Sequence, residues 1–233
     1  MKEILRQGFK ELNIECSDIG YERFEIFRAY LEEMNAVMNL TAISGKEAVA
    51  KLHFLDCAAL VKCAEFRGKR IIDVGSGAGF PGIPLKILEP DMELTLLDSM
   101  QKRVKFLEDS CEKLGFRDVA CVHARAEEAP ESLRADFDIA TSRAVARLNV
   151  LCELCLPFLR VGGVFIAMKG PECEQELSEA SNAIKLLGAE YEKTVQYDIP
   201  GTDISHSAVI IRKTKPTHPQ YPRKWAQMKK KPL

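Results

Sequence analysis

The first 67 residues carry a helical pattern of apolar positions. Phe24, Phe27, Leu31, Met34 and Met38 recur at steps of three and four residues, the spacing of one face of a helix. A second apolar stripe runs from Glu47 to Cys63. The pattern therefore predicts a helical N-terminal extension over residues 1–67.

After Gly68 the pattern changes to short apolar runs that alternate with longer amphipathic segments. Such alternation is typical of βαβ units and predicts an α/β fold with a parallel sheet. The predicted strands are Ile71–Val74, Glu93–Leu97, Val119–His123, Phe137–Thr141 and Val164–Met168. The predicted helices between and after them are Ile83–Leu88, Lys102–Leu114, Leu148–Leu159 and Glu172–Leu187. Two last apolar stretches, Tyr191–Tyr197 and Ser207–Ile211, have no helix between them and are expected to close the sheet as an antiparallel pair.

The charges of the chain are unevenly distributed. The 33 basic and 34 acidic residues give a net charge of −1, but the last acidic residue is Asp203. From Arg212 onward there are eight basic residues and no acid, so this segment carries +8 and the rest of the chain −9. The asymmetry predicts a basic C-terminal tail, residues 214–233, that binds a polyanion. Residues 68–213 then form the predicted α/β domain.

Several classes of protein are disfavoured. No apolar run approaches the roughly 20 residues of a membrane helix, and residues 1–16 lack the apolar core of a signal peptide. We expect a cytoplasmic protein whose eight cysteines are reduced. Cys152 and Cys155 form a C-x-x-C pair with no further ligands at a suitable spacing, so no metal site is expected.

A glycine-rich loop follows the first predicted strand. It reads Asp73-Val-Gly75-Ser-Gly77-Ala-Gly79-Phe80-Pro81-Gly82 and precedes a helix, an arrangement in which the backbone approaches a ligand closely. Its glycines also fit the G-x-G-x-x-G pattern of dinucleotide-binding proteins. A buried carboxylate at Asp73 repels a pyrophosphate but tolerates the cationic methionine part of S-adenosylmethionine. The loop therefore favours S-adenosylmethionine, and an NAD(P)-binding oxidoreductase remains an alternative. Asp98, which follows the second strand, suits the ribose of either cofactor.

The methylated atom can be approached by elimination. The segment after the fourth strand, Thr141-Ser142-Arg143-Ala144, lacks the N/D-P-P-Y/F motif that accompanies amine methylation. The Pro-Cys pair of pyrimidine C5 methylation does not occur in the chain. Lys169 could belong to a ribose 2′-O methylation set, but its aspartate is missing. Guanine N7 has no proton to lose, so its methylation needs only alignment and close approach.

A larger set of motifs resembles the RsmG (GidB) family. The set comprises Asn39-Leu40-Thr41, His53-x-x-Asp56, Ile72 to Pro84 with its Gly-Phe-Pro-Gly-Ile-Pro sequence, Leu97-Asp-Ser99, Lys102-Arg-Val-x-Phe-Leu107 and Ser142-Arg-Ala144. The resemblance implies a class I methyltransferase fold and S-adenosylmethionine as cofactor. It also implies methylation of N7 of a guanine in the 530 loop of 16S ribosomal RNA. The substrate would be the small ribosomal subunit or an assembly intermediate, with no membrane or DNA partner. Another base position, ribose 2′-O methylation, or a non-catalytic S-adenosylmethionine-binding assembly factor remain alternatives.

The resemblance also implies roles for matching residues. The expected cofactor residues are Gly75, Gly77, Gly79, Phe80, Asp98, Ser99, Ala126, Glu127 and Arg143. Arg143 would also position the target base, and no general base is required. The alternative for Arg143 is a structural ion pair with Glu127 or Asp98. We expect His53 and Asp56 to fix the N-terminal helices onto the α/β domain rather than to move a proton.

One lysine after the fifth predicted strand and five basic residues near the end of the chain are candidates for contacts with RNA phosphates. The candidates are Lys169, Arg223, Lys224, Lys229, Lys230 and Lys231. Tyr221 and Trp225 could stack on bases. The alternatives are that the tail is a solvated, disordered end and that Lys169 only extends its amine to the edge of the sheet.

Overall fold

The computed structural model describes residues 1–143, 145–171 and 173–233, and these residues form one seven-stranded sheet. Its strands are β1 (Arg70–Val74), β2 (Glu93–Asp98), β3 (Val119–His123), β4 (Phe137–Arg143), β5 (Leu159–Lys169), β6 (Ala189–Asp198) and β7 (Ser205–Lys213). Their order across the sheet is β3-β2-β1-β4-β5-β7-β6. Strands β1 to β5 are parallel, and β7 runs antiparallel between β5 and β6. The predicted α/β fold is confirmed.

The antiparallel pair predicted at the end of the domain is also present, with longer strands than the apolar stretches indicated. In its register, Tyr197 of β6 lies opposite His206 of β7. Strand β5 likewise begins five residues before the predicted Val164, because Leu159 already pairs with Phe137. The ends of these strands are therefore set by the strands with which they pair, and the apolar pattern of a single segment does not show which residues pair.

Helices cover the N-terminal region and connect the strands. They are α1 (Lys2–Glu11), α2 (Asp18–Met38), α3 (Lys46–Val49), α4 (Asp56–Ala58), α5 (Gly82–Leu88), α6 (Gln101–Lys113), α7 (Leu148–Cys155), α8 (Glu174–Leu186) and α9 (Trp225–Lys230). A π-helical turn, Ala50–Leu55, joins α3 to α4, so the predicted second helix is continuous but irregular. The predicted helix start at Glu172 lies outside the described residues, as does Ala144 of the Ser142-Arg-Ala144 motif.

Helix α2 shows how the local sequence sets its ends. The Ser17 hydroxyl accepts a hydrogen bond from the backbone N–H of Gly20 at 3.0 Å and caps the first turn. Asn39 ends the helix in the left-handed conformation, with φ +50°, which asparagine tolerates better than most residues. The predicted stripe of Phe24, Phe27 and Leu31 is buried between these ends.

The N-terminal helices share a hydrophobic core with the sheet. Phe27 of α2 packs on Phe80 and Phe106, with ring centroids 5.6 Å and 6.5 Å apart. This core covers one face of the sheet, and α7, α8 and α9 cover the other. The division at residue 67 stays a prediction about domains, and the packing shows that the core is continuous across it.

The basic C-terminal segment is folded onto the domain. The Arg223 guanidinium donates to both carboxylate oxygens of Glu153, at 2.8 Å and 2.6 Å, and this carboxylate is buried. Met228 of α9 is fully buried in the core beside α7 and α8. These contacts favour an ordered segment over a disordered end, although the boundary at residue 214 stays a prediction.

Two further observations concern the classes considered above. No helix in the described parts of the chain is long and apolar enough to cross a membrane. All eight cysteine thiols are free, and six of them are buried, including Cys152 and Cys155. Their surroundings fit the interpretation of cysteines as small core residues.

Candidate functional site

A cleft of about 470 Å³ opens at the carboxyl ends of the parallel strands. Ligands of open α/β sheets bind at this edge, where the strand order reverses, here between β1 and β4. Eight of the nine expected cofactor residues line the cleft: Gly75, Gly77, Phe80, Asp98, Ser99, Ala126, Glu127 and Arg143. The structure therefore brings together residues that lie at or just after the ends of four different strands, β1 to β4.

The floor of the cleft is the glycine loop, held by backbone hydrogen bonds. The N–H groups of Gly75 and Ser76 both donate to the carbonyl of Leu97, at 2.8 Å and 3.1 Å. The N–H of Gly77 donates to the Asp98 carboxylate at 2.9 Å. The loop after β1 is thus tied to the end of β2, and the two form a continuous surface.

Two glycines of the loop combine a positive φ with close neighbours, a combination that strains any residue with a side chain. Gly75 has φ +74°, and a Cβ there would lie 2.5 Å from Cγ2 of Val145. Gly79 is the one expected cofactor residue that does not line the cleft. It has φ +88°, and a Cβ there would lie 2.6 Å from Cδ1 of Ile83. Gly79 therefore supports the conformation of the loop on the side that faces away from the cleft.

The two aspartates of the loop region support it in different ways. Asp98 lines the cleft and accepts from the N–H groups of Gly77 and Met100, both at 2.9 Å. Asp73 is fully buried and accepts from the N–H of Gly82 at 3.1 Å. Burial raises the pKa of Asp73 to about 7. Asp73 therefore stabilises the loop through its hydrogen bond to Gly82. It does not line the cleft, where the sequence led us to expect it near the cationic part of the cofactor.

A carboxylate oxygen at the β3 end of the cleft lacks a hydrogen-bond partner. Oε1 of Glu127 is buried and unpartnered among the described residues. Its nearest cation is Arg125, at 3.9 Å, beyond hydrogen-bond length. Because an unpaired buried acceptor is costly, the oxygen indicates a ligand N–H donor at this position.

The opposite end of the cleft contains Arg143, the last residue of β4. Its guanidinium lies over the ring of Phe80, 4.8 Å from the centroid. It contacts Oδ2 of Asp56 at 3.3 Å and Nδ1 of His53 at 2.9 Å. The ion pair of Arg143 is therefore with Asp56, and not with the Glu127 or Asp98 considered from the sequence.

The Asp56 carboxylate links three parts of the chain. It is almost fully buried, and its Oδ1 accepts from the Tyr197 hydroxyl at 3.0 Å and lies 2.8 Å from Nδ1 of His206. Both partners come from the antiparallel strands β6 and β7. The hydrogen bond to Asp56 raises the pKa of His206. This network, which we call the Asp56 network, joins the N-terminal helices, the last strands and Arg143.

His53 is held as a neutral imidazole. Its Nδ1 accepts from Arg143, which can only donate, so the ring proton lies on Nε2, 2.9 Å from the Thr41 hydroxyl. Burial, and then the charge of Arg143, lower the pKa of His53 to about 3. Both ring nitrogens are occupied, which fits the expected role of His53 in fixing the N-terminal helices.

Sequence reasoning missed the contribution of the last two strands. Tyr197 was only part of a predicted apolar stretch, and His206 immediately precedes the other predicted stretch, yet both bind Asp56. In the structure the two residues face each other across the antiparallel pair, so a register assignment was the signal that could have linked them. Val145, Leu154 and Trp225 also line the cleft without having been expected there.

The expected RNA-binding residues fall into two groups. Lys169 donates to Glu176 at 2.7 Å and to the Ala146 carbonyl at 2.9 Å, and Arg223 binds Glu153, so both have internal partners. The other four are exposed: Lys224, Lys229, Lys230 and Lys231.

A family model described as GidB, rRNA small subunit methyltransferase G, matches residues 20–203. The chain belongs to the GidB family. A relative in this family, Ribosomal RNA small subunit methyltransferase G of Clostridium perfringens, is 43% identical over 234 residues, covering 99% of this chain and 98% of the relative. The protein of the same name from Clostridium botulinum strain Loch Maree is 44% identical over 233 residues, with the same coverage. The predicted GidB family is confirmed, and with it a methyltransferase that uses S-adenosylmethionine.

Solved structures show the same fold at low sequence identity. A methyltransferase from Pyrococcus furiosus has a TM-score of 0.57 at 14% identity and covers 82% of this chain and 98% of its own. M. jannaschii TYW2, solved in complex with AdoMet, has a TM-score of 0.53 at 12% identity and covers 68% of this chain and 74% of its own. The GidB chain described here therefore has the class I methyltransferase architecture expected from its motifs.

Proposed function

We propose that this chain transfers the methyl group of S-adenosylmethionine to N7 of a guanine in 16S ribosomal RNA. The small ribosomal subunit or an assembly intermediate provides the substrate. The observation that carries the choice of N7 is the lack of an available proton acceptor at the Arg143 end of the cleft, in the part of the chain that the structure describes. Family membership supports the ribosomal RNA substrate.

The donor set of the cleft fits S-adenosylmethionine. The unpartnered Oε1 of Glu127 is an acceptor for the amine of adenine, and Asp98 and Ser99 lie where the ribose hydroxyls are expected. When bound, this cofactor supplies an electrophilic methyl group on a sulfonium. The protein has to hold this group and the target nitrogen in line and at close approach, and to exclude water.

The ionisable groups near Arg143 are unsuited to remove a proton. Arg143 occupies Nδ1 of His53, Thr41 contacts Nε2, and the pKa of this histidine is lowered to about 3. Asp56 is buried and contacts Arg143, Tyr197 and His206. Exocyclic amines and ribose hydroxyls lose a proton during methylation, whereas guanine N7 loses none, so N7 is the target that this arrangement suits.

Among the described residues that line the cleft, Glu127 has the carboxylate oxygen without a partner, and it lies too far from Arg143 to serve as the base. It follows β3, whereas Arg143 ends β4, and these strands are the first and fourth in the sheet order. Three strand spacings separate them, roughly 14 Å. The position of Glu127 suits cofactor binding instead.

Arg143 is the candidate for orienting the guanine. Contacts to Asp56 and His53 engage two of the five N–H groups of its guanidinium. A further N–H suits the O6 atom of guanine or a neighbouring phosphate and leaves N7 available for transfer. The same contacts hold the side chain in place before RNA arrives.

The exposed lysines of the C-terminal segment supply contacts to RNA phosphates. Lys229, Lys230 and Lys231 follow one another at the end of α9, which the buried Met228 fixes to the domain. In this proposal the lysines confer affinity and the cleft confers selectivity.

A ribose 2′-O methyltransferase is the weaker candidate. Lys169 is the lysine that its catalytic set would use, and this lysine is paired with Glu176.

Mapping of modified nucleotides tests the proposed function. Ribosomal RNA from cells with and without this protein is compared by cleavage at N7-methylguanine. We expect one such guanine in 16S ribosomal RNA that disappears without the protein and returns with the wild-type gene. Identical maps, or a loss of ribose or amine methylation instead, would refute the proposal.

A further inference from the structure

Trp225 occupies a position that RNA stacking does not explain. It is the only tryptophan of the chain and the first residue of α9. Its side chain is 36% exposed and lines the same cleft as the glycine loop. A large aromatic side chain at the wall of a cofactor cleft suggests contact with the cofactor itself.

The protein holds Trp225 in this position from both sides. Two residues before it, Arg223 is bound to the buried carboxylate of Glu153 through its backbone N–H at 2.8 Å and through its guanidinium. Three residues after it, Met228 is fully buried. The segment that carries Trp225 is thus held on the domain by its neighbours and does not depend on RNA for its placement.

The anchor also places Trp225 beside α7. Glu153 and Leu154 are neighbours on α7, and Leu154 lines the cleft together with Trp225. Helix α7 contacts the turn Ala126–Glu128 after β3 as well as strand β4. Trp225 therefore lies next to a helix that borders the turn with the unpartnered oxygen of Glu127.

We propose that Trp225 is a cofactor-binding residue whose indole packs against the adenine ring of S-adenosylmethionine. The flat adenine presents an aromatic face that an indole stacks on, while Glu127 provides an acceptor for its amine. The inference rests on the proposed use of this cofactor and adds that the C-terminal segment completes its site. It reassigns Trp225 from RNA bases to the adenine.

Because Trp225 is the only tryptophan, intrinsic fluorescence of the full-length wild-type protein reports on it alone. We expect a saturable change in emission on titration with S-adenosylhomocysteine and with 5′-methylthioadenosine, and none with methionine. A change that only RNA produces would overturn the proposal and return Trp225 to base stacking.

Calorimetric titration of variants gives an independent readout. Trp225→Ala is expected to weaken binding of S-adenosylhomocysteine and of 5′-methylthioadenosine by the same factor, about tenfold, because both ligands carry the adenine. Trp225→Phe should restore most of the affinity. Gln227→Ala, an exposed position on the same helix, is the matched control and should bind like wild type.

The outcomes separate this inference from the proposed function. If wild type binds the cofactor and Trp225→Ala binds it equally well, the inference is wrong and the proposed function stands. If Trp225→Ala loses affinity for S-adenosylhomocysteine but not for 5′-methylthioadenosine, the indole is not on the adenine. If wild type binds no S-adenosylmethionine, both are wrong.

Discussion

The glycine-loop floor of the cleft and its Arg143 end are built in different ways. The glycine loop is formed by consecutive residues whose backbone N–H groups bind the end of the next strand, as Gly75 and Gly77 do. The Arg143 end is formed by side chains from distant parts of the chain that meet at the buried Asp56. We therefore expect the contribution of the glycine loop to cofactor binding to depend on local backbone geometry, and the placement of the target base to depend on tertiary packing.

The largest expected effect lies at the Arg143 end. Arg143→Ala should reduce methyl transfer by at least about 100-fold, since misplacement of a reacting group has costs of this size. The affinity for S-adenosylmethionine should fall much less than the rate of transfer, because the other expected cofactor residues that line the cleft remain in place. Single-turnover transfer and calorimetry check the two quantities, with circular dichroism for the fold.

Arg160→Ala is the control for this variant, because Arg160 is an exposed arginine that pairs with Asp138. It should transfer methyl groups like wild type. Near-normal turnover of Arg143→Ala would remove Arg143 from the proposed mechanism and leave the Asp56 network as a purely structural contact.

A change in the glycine loop should weaken cofactor binding more than methyl transfer. Gly75→Ala forces a side chain into a conformation with φ +74° and places its Cβ against Val145. Backbone strain of this kind costs about 1–3 kcal/mol, so we expect roughly tenfold weaker cofactor binding. Transfer at saturating cofactor should stay close to wild type.

Gly68→Ala is the matched control, because Gly68 also has a positive φ, +66°, but has open space around its Cβ position and lies outside the cleft lining. It should lower stability without changing cofactor affinity. If both alanine variants bind cofactor equally, the close approach at Gly75 is irrelevant to the site.

Replacement of the exposed lysines should affect neither cofactor binding at the glycine loop nor the arrangement of the Arg143 end. Replacement of Lys229, Lys230 and Lys231 by glutamine should reduce the slope of log K for RNA binding against log salt by about 2. Cofactor affinity should remain unchanged. Filter binding at several salt concentrations measures the slope, and an unaltered slope would exclude these lysines from phosphate contacts. Substitution is preferable to deletion, since removal of the segment would expose the core around Met228.

The smallest expected effect concerns His206 and depends on pH. The folded pKa of His206 lies above its ordinary value of 6.5 because of Asp56. Its stabilising contribution is therefore complete below pH 6.5 and is lost as the pH rises through the folded pKa. His206→Asn should reduce the free energy of unfolding by about 0.5 kcal/mol at pH 6, since the pair is partly exposed.

At pH 9 the same substitution should have a smaller effect, because protonation of the histidine falls as the pH rises through the raised folded pKa. Urea unfolding at the two pH values measures the difference. An equal loss of stability at both would show that the charge of His206 does not contribute to the Asp56 network.

The contrast between the glycine loop and the Arg143 end also explains which parts of the site could be predicted from the sequence. The loop from Asp73 to Gly82 is contiguous, so its glycine spacing and its place between strand and helix could be recognised directly. Family resemblance also placed Ala126, Glu127 and Arg143 at the cleft, where the structure has them. Their exact roles remain predictions.

What could not be predicted depends on contacts between distant residues. The partner of Arg143 is 87 residues away in Asp56, and His206 is 150 residues from the same carboxylate. Contacts between residues so far apart in the sequence produce no periodic pattern from which the partners could be predicted. Arg223 and Lys169 were counted as basic surface residues, because only the fold shows that Glu153 and Glu176 neutralise them.

The most direct test of the account identifies the nucleoside that the purified protein makes. Small subunits lacking the modification are incubated with methyl-labelled S-adenosylmethionine, and the RNA is digested to nucleosides and analysed by mass spectrometry. We expect the label in N7-methylguanosine alone and a loss of nearly all of it with Arg143→Ala. Label in a 2′-O-methylated nucleoside or in an amine-methylated base would contradict the proposed function, because either product requires a proton acceptor that the described residues at the Arg143 end do not offer.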